Sequence, residues 1–289
     1  MRIATWNVNS LKARLERVEG WLERTAPDVV LMQETKLADK DAPTAAFARL
    51  GYELAHHGQG RWNGVAIASR VGIADVEARF GDPPGGVDAG DEDPRKEARI
   101  LAATCGGVRV ASVYAPNGRA VGSPFYEAKL GWFARLREWV ITTGPENLVI
   151  GGDYNVAPED RDVWDPAAAH GGTHVSPRER EAYGALLATG LVDAYREKHA
   201  EPERYSWWDY RAGDFYRNVG MRIDLFLVGA KVRSRIVDVE IDREARKGKP
   251  TPSDHAPLTL DLDEAGKAFD PGWGSAAERI AARRAKQRA

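Results

Sequence analysis

Residues 147–155, NLVIGGDYN, combine a short apolar run of β type with two polar side chains at its end, Asp153 and Asn155. Their spacing is the period of a β-strand, so both side chains are expected on the same side of the chain. Similar runs occur at RIATWNV, VVLMQE, GVAIAS, RILAAT, VRVASVYAP, RIDLFLVG, RIVDVEI and APLTLDL. Short strands are therefore predicted to dominate the fold.

Amphipathic helices are predicted at two places between these strands. Residues 10–24 place leucines and a valine at steps of four and three behind a cap at Ser10, and residues 124–141 show the same spacing. Many strands with few interleaved helices indicate two packed sheets with helices outside. No linker divides the chain, so a single domain is expected over 1–262.

Two segments are expected to be loosely held. Residues 81–98 are rich in proline, glycine and acidic residues, which is typical of a long mobile loop. Residues 263–289 end in AAERIAARRAKQRA and are expected to form a basic tail, helical or loosely ordered. The tail is interpreted as solvated, with a phosphate-contacting arm as the alternative.

The composition is that of a globular protein without a membrane segment. A hydrophobic share of 43% is enough for a sizeable core, and no stretch approaches the roughly 18 consecutive apolar residues of a membrane span. The opening residues lack a signal-peptide pattern, and the single cysteine, Cys105, excludes an internal disulfide. Both features favour a cytoplasmic location. The net charge of −2 neither favours nor excludes nucleic acid.

Polar residues end several of the apolar runs, where an ordinary strand would simply turn. They are Asn7 and Asn9, Glu34, Tyr114 and Asn117, Asp153 and Asn155, Asp224, and Asp254 with His255. Any one alone is explained by an Asx turn or a backbone hydrogen bond. Together they indicate chemistry, because an ionised Glu34 directly after the buried run VVLM needs a cation or a donor. Oxygen ligands without a Cys/His cluster favour Mg²⁺ over structural zinc.

Residues 251–258, TPSDHAPL, contain the one histidine in such a setting. If this segment continues as a strand, Asp254 and His255 point to opposite faces and cannot hydrogen-bond as a pair. The other five histidines are expected at the surface. His56, His57, His170 and His174 are expected in polar loops without ligand-like spacing, and His199 follows a charged helix end. A magnesium ion, an imidazole, a buried Asp and a phenol are together typical of phosphodiester hydrolysis.

Seven motifs carry a resemblance to a known family. TWNVNSL, LMQETK, VYAPNG, GGDYNVAP, RYSWWDYR, RIDLFLV and PSDHAPL resemble, in order and spacing, the exonuclease III-type abasic-site endonucleases over 1–262. Most of these motifs are shared with a superfamily that includes sphingomyelinases and inositol-phosphate phosphatases, whereas SWWDYR and QETK are more specific to DNA repair. The resemblance implies a DNase I-like four-layer α/β sandwich, with two packed mixed β-sheets flanked by helices.

The resemblance also implies a metal-dependent hydrolase that cleaves duplex DNA 5′ of abasic sites or processes 3′ ends as an exonuclease or phosphatase. Glu34 is implied as the principal metal ligand, helped by Asn7, and Asp254 as a second metal-linked acid. Asp153 is implied either to activate the attacking water or to protonate the leaving oxygen, and Asn155 to orient that water.

The scissile phosphate has its own implied contacts. The resemblance gives this role to Tyr114 and His255, and implies that Asp224 holds His255 through the other ring nitrogen. The implied cofactor is Mg²⁺, with Mn²⁺ as an alternative. The implied partner is double-stranded DNA with abasic sites or damaged 3′ ends, bound by a monomer and without a membrane.

A DNA-contacting surface is expected around ERYSWWDYRAGDFYRNVGMR, where aromatic residues alternate with arginines. The resemblance implies that Trp207 lines a pocket for the abasic residue. The expected DNA-binding residues are Asn117, Trp207, Arg99, Arg119, Trp208 and Asn218. The competing interpretation is a strand that buries every second side chain, either Tyr205 and Trp207 or Ser206 and Trp208.

Two other functions remain open at this point. A phosphoesterase for a lipid or inositol phosphate would be expected to carry a signal peptide or an apolar membrane-facing loop, and the sequence has neither. A catalytically idle DNA-binding module would be expected to lack one of the strand-end acids, and all of them are present.

Overall fold

A computed structural model describes residues 1–82, 93–274, 276–277 and 280–282, and the strands in these residues pair into two six-stranded sheets. The first sheet contains, in spatial order, β11 (Ile236–Ile241), β12 (Leu258–Leu262), β1 (Arg2–Asn7), β2 (Val29–Gln33), β4 (Val65–Ser69) and β3 (Glu53–His57). The second contains β5 (Ala74–Ala78), β6 (Ile100–Cys105), β7 (Val108–Tyr114), β8 (Leu148–Asp153), β10 (Asp224–Val228) and β9 (Val192–Asp193).

Helices connect the strands and cover the outer faces. They are α1 (Leu11–Thr25), α2 (Thr44–Arg49), α3 (Pro124–Thr143), α4 (Pro166–Ala169), α5 (Pro177–Leu187), α6 (Ala194–Lys198), α7 (Asp214–Arg217) and α8 (Ala230–Arg233). Short 3₁₀ turns occur at Asp39–Asp41, Arg79–Gly81, Asp160–Asp162, Arg211–Gly213 and Arg243–Arg246. The predicted cap is confirmed at the start of α1, where the side chain of Ser10 accepts a hydrogen bond from the backbone N–H of Ala13.

Each sheet has one parallel pair at its centre, and these pairs place the strand ends that matter for function. Strands β1 and β2 run parallel with Asn7 opposite Gln33, and β7 and β8 run parallel with Tyr114 opposite Asp153. All other pairings in the two sheets are antiparallel. The carboxyl ends of both parallel pairs therefore lie at one edge of the sandwich.

Three apolar layers hold the sheets and helices together. Ile3, Val29 and Leu31 belong to the layer between the sheets, whereas the alternate residues Trp6 and Met32 pack with α1 on the outside. A third layer joins the outer face of the second sheet to α3 and α5, through residues such as Trp132, Leu136, Leu148, Ile150 and Leu186. The order helix, sheet, sheet, helix confirms the predicted four-layer α/β sandwich.

The two sheets approach closely beneath the end of β8. A side chain at Gly151 would place its Cβ 2.6 Å from the ring of Phe226 and 2.8 Å from Leu31, so only glycine fits there. Nearby, Gln33 of β2 donates from Nε2 to the hydroxyl of Ser112 of β7 across 2.9 Å. Close packing and this inter-sheet hydrogen bond fix the depth and register at which the strand ends meet.

Three strands were missed by the sequence analysis because they are short or lie at sheet edges. Strand β3 consists of ELAHH, which has little β-branched character, so the prediction that His56 and His57 lie in a polar loop is wrong. Strand β5 has an exposed edge, and β9 has only two residues. Pairing with neighbouring strands overrides their weak intrinsic preference.

The packed domain continues past residue 262 into the segment predicted to be a tail. Trp273 is only 6% exposed, belongs to the layer between the sheets, and donates from Nε1 to the carbonyl oxygen of Ile241 across 2.8 Å. Ala276 is also buried, and Arg2 donates to the carbonyl oxygen of Lys267 across 2.5 Å. The predicted boundary at 262 is therefore too early, and the remainder of the predicted tail lies partly outside the described residues.

Most of the predicted 81–98 loop, residues 83–92, also lies outside the described residues. Its described end forms a turn in which Arg95 is ion-paired with Asp93 across 2.7 Å, and Ala98 is buried. Among the described helices, none is both long and apolar enough to cross a bilayer.

Candidate active site

Asn7 joins the two sheets at the edge where β1, β2 and β8 end. Its side-chain Nδ2 donates to Oε1 of Glu34 across 2.8 Å and to Oδ2 of Asp153 across 3.0 Å. Its Oδ1 accepts from the backbone N–H of Asn9 across 3.0 Å. The acids that the sequence placed at the ends of separate strands are therefore brought together by one amide.

Asp153 and Asn155 are neighbours in space, but not because they share one face of a strand. Strand β8 ends at Asp153, and Asn155 adopts the left-handed conformation with φ 51°. The backbone N–H of Asn155 donates to Oδ1 of Asp153 across 2.9 Å, which is an Asx turn. Asn155 Nδ2 also donates to the carbonyl oxygen of Ala115 across 2.9 Å and lies 3.4 Å from Oδ2 of Asp153.

His255 is oriented by Asp224, which begins β10 opposite Asp153. Nδ1 of His255 lies 2.8 Å from Oδ2 of Asp224, and Nε2 lies 3.8 Å from Oδ2 of Asp153. The hydroxyl of Ser206 accepts from the backbone N–H of Asp224 across 3.0 Å and so holds the start of the strand. The implied pairing of His255 with Asp224 is therefore present in the structure.

Burial and charge give these groups unusual acidities. Burial raises the pKa of Asp153 to about 7; His255 opposes this shift, and Asp224 and Glu34 add to it. Burial alone would lower the pKa of His255, but Asp224 and Asp153 outweigh it and raise the pKa to about 10. Burial and the nearby carboxylate of Glu34 hold the pKa of the Tyr114 phenol well above its usual value. The site therefore combines a titratable acid with a cationic imidazole at neutral pH.

Glu34 lies in a turn directly after β2 and makes an ion pair that the sequence did not suggest. Nζ of Lys36 is 2.8 Å from Oε2 of Glu34 and 2.5 Å from Oδ1 of Asn9. Asn9 Nδ2 donates to Oδ1 of Asp254 across 2.9 Å, and Trp207 Nε1 donates to the other oxygen across 3.1 Å. Asp254 is thus connected to Glu34 indirectly, through Asn9 and then either Lys36 or Asn7.

One compact group has the donor atoms for a cation. Glu34, Asp153 and His255 each offer one ligand atom, and these atoms lie within 4.8 Å of one another. A protonated His255 cannot coordinate a metal, so the carboxylate oxygens are the suitable ligands, and such oxygens fit a hard divalent cation. Among the described residues this group does not include Asp254, and Asn7 meets it through its amide N–H groups. The residues present therefore fit a divalent ion held by Glu34, with Asp153 beside it.

Similarity to known proteins identifies the family to which this site belongs. Residues 4–255 match the model of the Endonuclease/Exonuclease/phosphatase family. The chain belongs to that family.

The relatives agree in fold and length. Exodeoxyribonuclease III of Haemophilus influenzae is 32% identical over 275 residues, covering 89% of this chain and 98% of the relative. Structures of the 3′ phosphatase NExo from Neisseria bound to a product DNA hairpin and of an AP endonuclease from Archaeoglobus fulgidus superpose with TM-scores of 0.84 and 0.83. Identities are 41% and 36%, and each comparison covers 91% of this chain and all of the other. The chain is a phosphodiester hydrolase of the exonuclease III type.

Several residues predicted to bind DNA lie beside the acidic group on this family scaffold. Arg99, Tyr114, Asn117, Arg119 and Phe125 line a groove of about 180 Å³. The guanidinium of Arg119 stacks on the ring of Phe125 at 3.4 Å, and that of Arg99 lies 4.8 Å from the ring of Tyr114. Arg99 is also ion-paired with Glu97 of the same groove, so Arg119, whose stacked guanidinium keeps its charge, is the cation best placed for a phosphate backbone.

The aromatic segment 205–210 is not a regular strand, and the DNA contacts expected at Trp208 and at Asn218 are wrong. Trp208 is 0% exposed and donates from Nε1 to Oδ1 of Asn218, which is itself 2% exposed. Neither side chain reaches the surface, because both fill the core beside Phe215. Trp207 is half-buried, with Nε1 bonded to Asp254, and its ring remains at the surface of the site. The simple alternation of buried residues is also wrong, since Tyr205, Ser206 and Trp208 are all buried.

A buried network lies behind Asn155 and has no marker in the local sequence pattern. Lys129 of α3 is fully buried, donates to the carbonyl oxygen of Asn155 across 2.7 Å, and is ion-paired with Glu179 of α5. Nδ1 of His174 lies 2.5 Å from the same carbonyl oxygen, and Nε2 lies 3.4 Å from Asn117 Nδ2. Burial, with help from Lys129, lowers the pKa of His174 to about 4. His174 is half-buried, and no local sequence signal marked this histidine or Lys129.

Proposed function

We propose that this chain is a Mg²⁺-dependent DNA repair phosphodiesterase that acts on duplex DNA at abasic sites and at damaged 3′ ends. The observation that carries the proposal is the contact of Glu34 and Asp153 through Asn7, with His255 held against Asp153 by Asp224. This arrangement provides acidic oxygens for a cation, a group that exchanges a proton near neutral pH, and a cationic imidazole. Each of the three contributes to phosphodiester hydrolysis, by offsetting charge on the phosphoryl oxygens or by moving a proton.

Asp153 is the group proposed to handle the proton of the attacking water. Its pKa of about 7 lets the carboxylate accept a proton at neutral pH, as a general base requires. The water oxygen forms a bond to phosphorus, the bond to the 3′ oxygen breaks, and that oxygen leaves with the electron pair and takes up a proton. Asn155, whose amide lies 3.4 Å from Asp153, is proposed to hold the water in line.

His255 and Tyr114 are proposed to bind the phosphoryl oxygens. With its pKa raised to about 10, His255 is protonated at neutral pH and can donate from Nε2 to a developing negative oxygen. Tyr114 keeps its proton because its pKa is raised, so the phenol can also act as a donor. A Mg²⁺ ion bound at Glu34 would offset further charge on the same oxygens.

The DNA is proposed to lie along the groove formed by Arg99, Asn117 and Arg119, with Trp207 against the nucleotide at the cleaved bond. Asn117 and Arg119 are exposed and Arg99 and Trp207 are half-buried, so all four are accessible to a large ligand. The proposal draws support from the Neisseria relative, which is a 3′ phosphatase bound to a DNA hairpin, and from the Archaeoglobus AP endonuclease. We further propose that a monomer carries out the reaction, since one chain contains the whole site.

An assay with three duplexes tests this proposal. They carry an internal abasic analogue, a recessed 3′ end or a 3′-phosphate, and each is incubated with Mg²⁺, with Mn²⁺ or with a chelator. Cleavage of at least one duplex that disappears with the chelator is expected, and the three rates rank the activities. Activity that persists in the chelator would contradict the metal dependence, and activity only on a lipid or inositol phosphate would contradict the DNA substrate.

A further inference from the structure

The turn that carries Glu34 has an unfavourable backbone conformation. Glu34 and Lys36 both adopt the left-handed conformation, with φ of 51° and 54°, and neither is a glycine. Non-glycine residues persist there only when surrounding contacts hold them. Backbone hydrogen bonds supply part of the restraint: Thr35 N–H donates to Gly64 across 3.1 Å, and Lys36 N–H donates to Asn63 across 2.9 Å.

Hydrogen bonds between side chains supply the rest of the restraint. They act on Thr35, which lies between the two residues in the left-handed conformation. Nδ1 of His56 lies 2.8 Å from Oδ1 of Asp39, and Nε2 lies 2.8 Å from the hydroxyl of Thr35. A carboxylate only accepts, so His56 donates from Nδ1 to Asp39, while Nε2 and the hydroxyl of Thr35 form the second hydrogen bond. Asp39 Oδ1 also accepts from the backbone N–H of Gly58 across 2.7 Å, which ties it to the loop after β3.

The order acid, imidazole, hydroxyl is also that of a nucleophilic triad, but burial excludes that role. Thr35 is 0% exposed, and its hydroxyl faces Gly64, where an added Cβ would lie only 2.2 Å from Oγ1. No substrate atom can approach this hydroxyl. The side chain of His56 is itself only 4% exposed. The hydrogen-bonded series of Asp39, His56 and Thr35 can therefore act only by holding Thr35 in place.

We propose that His56 is a positioning residue for Glu34. Through the hydroxyl of Thr35 it fixes the left-handed turn, and so it sets how tightly the acidic group binds its divalent cation. This inference rests on the proposed role of Glu34 in cation binding. The inference assigns a function to the hydrogen-bonded side chains of Asp39, His56 and Thr35. None of these three side chains contacts the group formed by Glu34, Asp153 and His255.

The test compares Thr35→Val and His56→Ala with a matched control. Val has nearly the shape of Thr but lacks the hydroxyl, so this variant keeps the packing even if His56→Ala folds poorly. His57→Ala is the control, because His57 is the next residue on β3, projects to the opposite face, and has no hydrogen-bond partner for Nε2 among the described residues. Thermal unfolding without metal identifies any variant that has lost the fold.

Binding of Mn²⁺ is measured by electron paramagnetic resonance, beside the Mg²⁺ concentration that gives half-maximal cleavage. Thr35→Val and His56→Ala are expected to weaken Mn²⁺ binding about tenfold, the lower end of the effect of losing a direct hydrogen-bond partner of a metal ligand, because they act on Glu34 through the backbone. The double variant should bind Mn²⁺ no more weakly than either single variant, because both substitutions break the same series of hydrogen bonds. His57→Ala should bind Mn²⁺ like the unaltered protein, and kcat at saturating Mg²⁺ should be nearly unchanged in all four variants.

The outcomes separate this inference from the proposed function. Suppose that Thr35→Val and His56→Ala bind Mn²⁺ as tightly as the unaltered protein and only lower the melting temperature. The hydrogen-bonded series of Asp39, His56 and Thr35 would then be purely structural, and the inference would be overturned. Equal weakening by His57→Ala would likewise overturn the inference. If the unaltered protein neither binds Mn²⁺ nor needs Mg²⁺ for cleavage, the proposed function itself fails.

Discussion

His255 hydrogen-bonds to Asp224 across 2.8 Å, 31 residues away, and not to its sequence neighbour Asp254. The pairing follows from sheet topology, because β10 begins with Asp224 directly opposite Asp153. The segment before β12 brings His255 to the same point from the other sheet. Asp254 is bound instead by Asn9 and Trp207. This contact fixes the imidazole so that Nε2 faces Asp153.

Replacing Asp224 by Asn tests that pairing. The neutral amide removes the charge that raises the pKa of His255, so we expect this pKa to fall from about 10 and the cationic form to be lost near neutral pH. By analogy with the buried Asp of a serine protease triad, kcat should fall by about 10²- to 10⁴-fold. NMR titration of the imidazole and single-turnover cleavage measure the two effects. An unchanged pKa of His255 would disprove the electrostatic role of Asp224.

Lys129 and Glu179 form a buried ion pair whose loss should destabilise the protein. Lys129→Met leaves the carboxylate of Glu179 uncompensated, and removing one partner of such a pair costs about 3–5 kcal/mol of unfolding free energy. Urea denaturation measures the change. The exposed pair Arg178–Glu127 joins the same two helices and is the control, so Arg178→Ala should leave the urea midpoint unchanged. Equal stability of both variants would contradict the structural role of Lys129.

The buried carboxylate of Asp162 should make stability depend on pH in the acid range. Burial alone would raise its pKa, but Arg222 and Arg196 outweigh burial and lower it. Because the folded pKa lies below the unfolded value of about 3.9, the stabilisation is fully present above that value. It is lost as the pH falls through the folded pKa. Unfolding free energies of the protein and of Asp162→Asn should therefore converge at low pH, and a constant difference would contradict this account.

Trp273 should be essential for stability although it lies in the segment predicted to be a tail. Trp273→Ala empties space between the sheets and removes the hydrogen bond to Ile241, for a cost of about 3–5 kcal/mol. Differential scanning calorimetry measures the change in melting temperature. The exposed Trp164 is the control, and its replacement by Ala should leave the melting temperature nearly unchanged. A stable Trp273→Ala variant would place the end of the domain at 262 after all.

Local patterns predicted two packed sheets with helices outside and acids at strand ends, whereas the family resemblance implied the four layers and the role of each acid. Strand runs such as NLVIGGDYN place Asp153 at a strand end, and the parallel pairs then bring that end to Asn7 and Glu34. Asn155 was placed correctly for the wrong reason, because an Asx turn and not strand alternation brings it to Asp153. Where the fold depends on periodic apolar runs, sequence reasoning is sufficient.

Contacts between distant segments could not be predicted from local patterns. His56 and His174 occur in polar sequences, yet each meets partners from other elements. Trp208 and Asn218 lie in an aromatic and arginine-rich segment that is typical of a DNA surface, but packing beside Phe215 buries them. Whether a residue is buried beside a distant partner depends on the tertiary structure. No local periodicity in a single sequence reveals it.

Asp153 carries the central claim, and its replacement by Asn is the most direct test. Asn keeps the size and the Asx turn but cannot take a proton from water. The measurement is the single-turnover cleavage rate of an abasic or 3′-blocked duplex in Mg²⁺, beside the dissociation constant for the same DNA by fluorescence anisotropy. We predict a rate lower by several orders of magnitude with a dissociation constant changed only a few-fold. Turnover near that of the unaltered protein would contradict the assignment of Asp153 as the reacting acid.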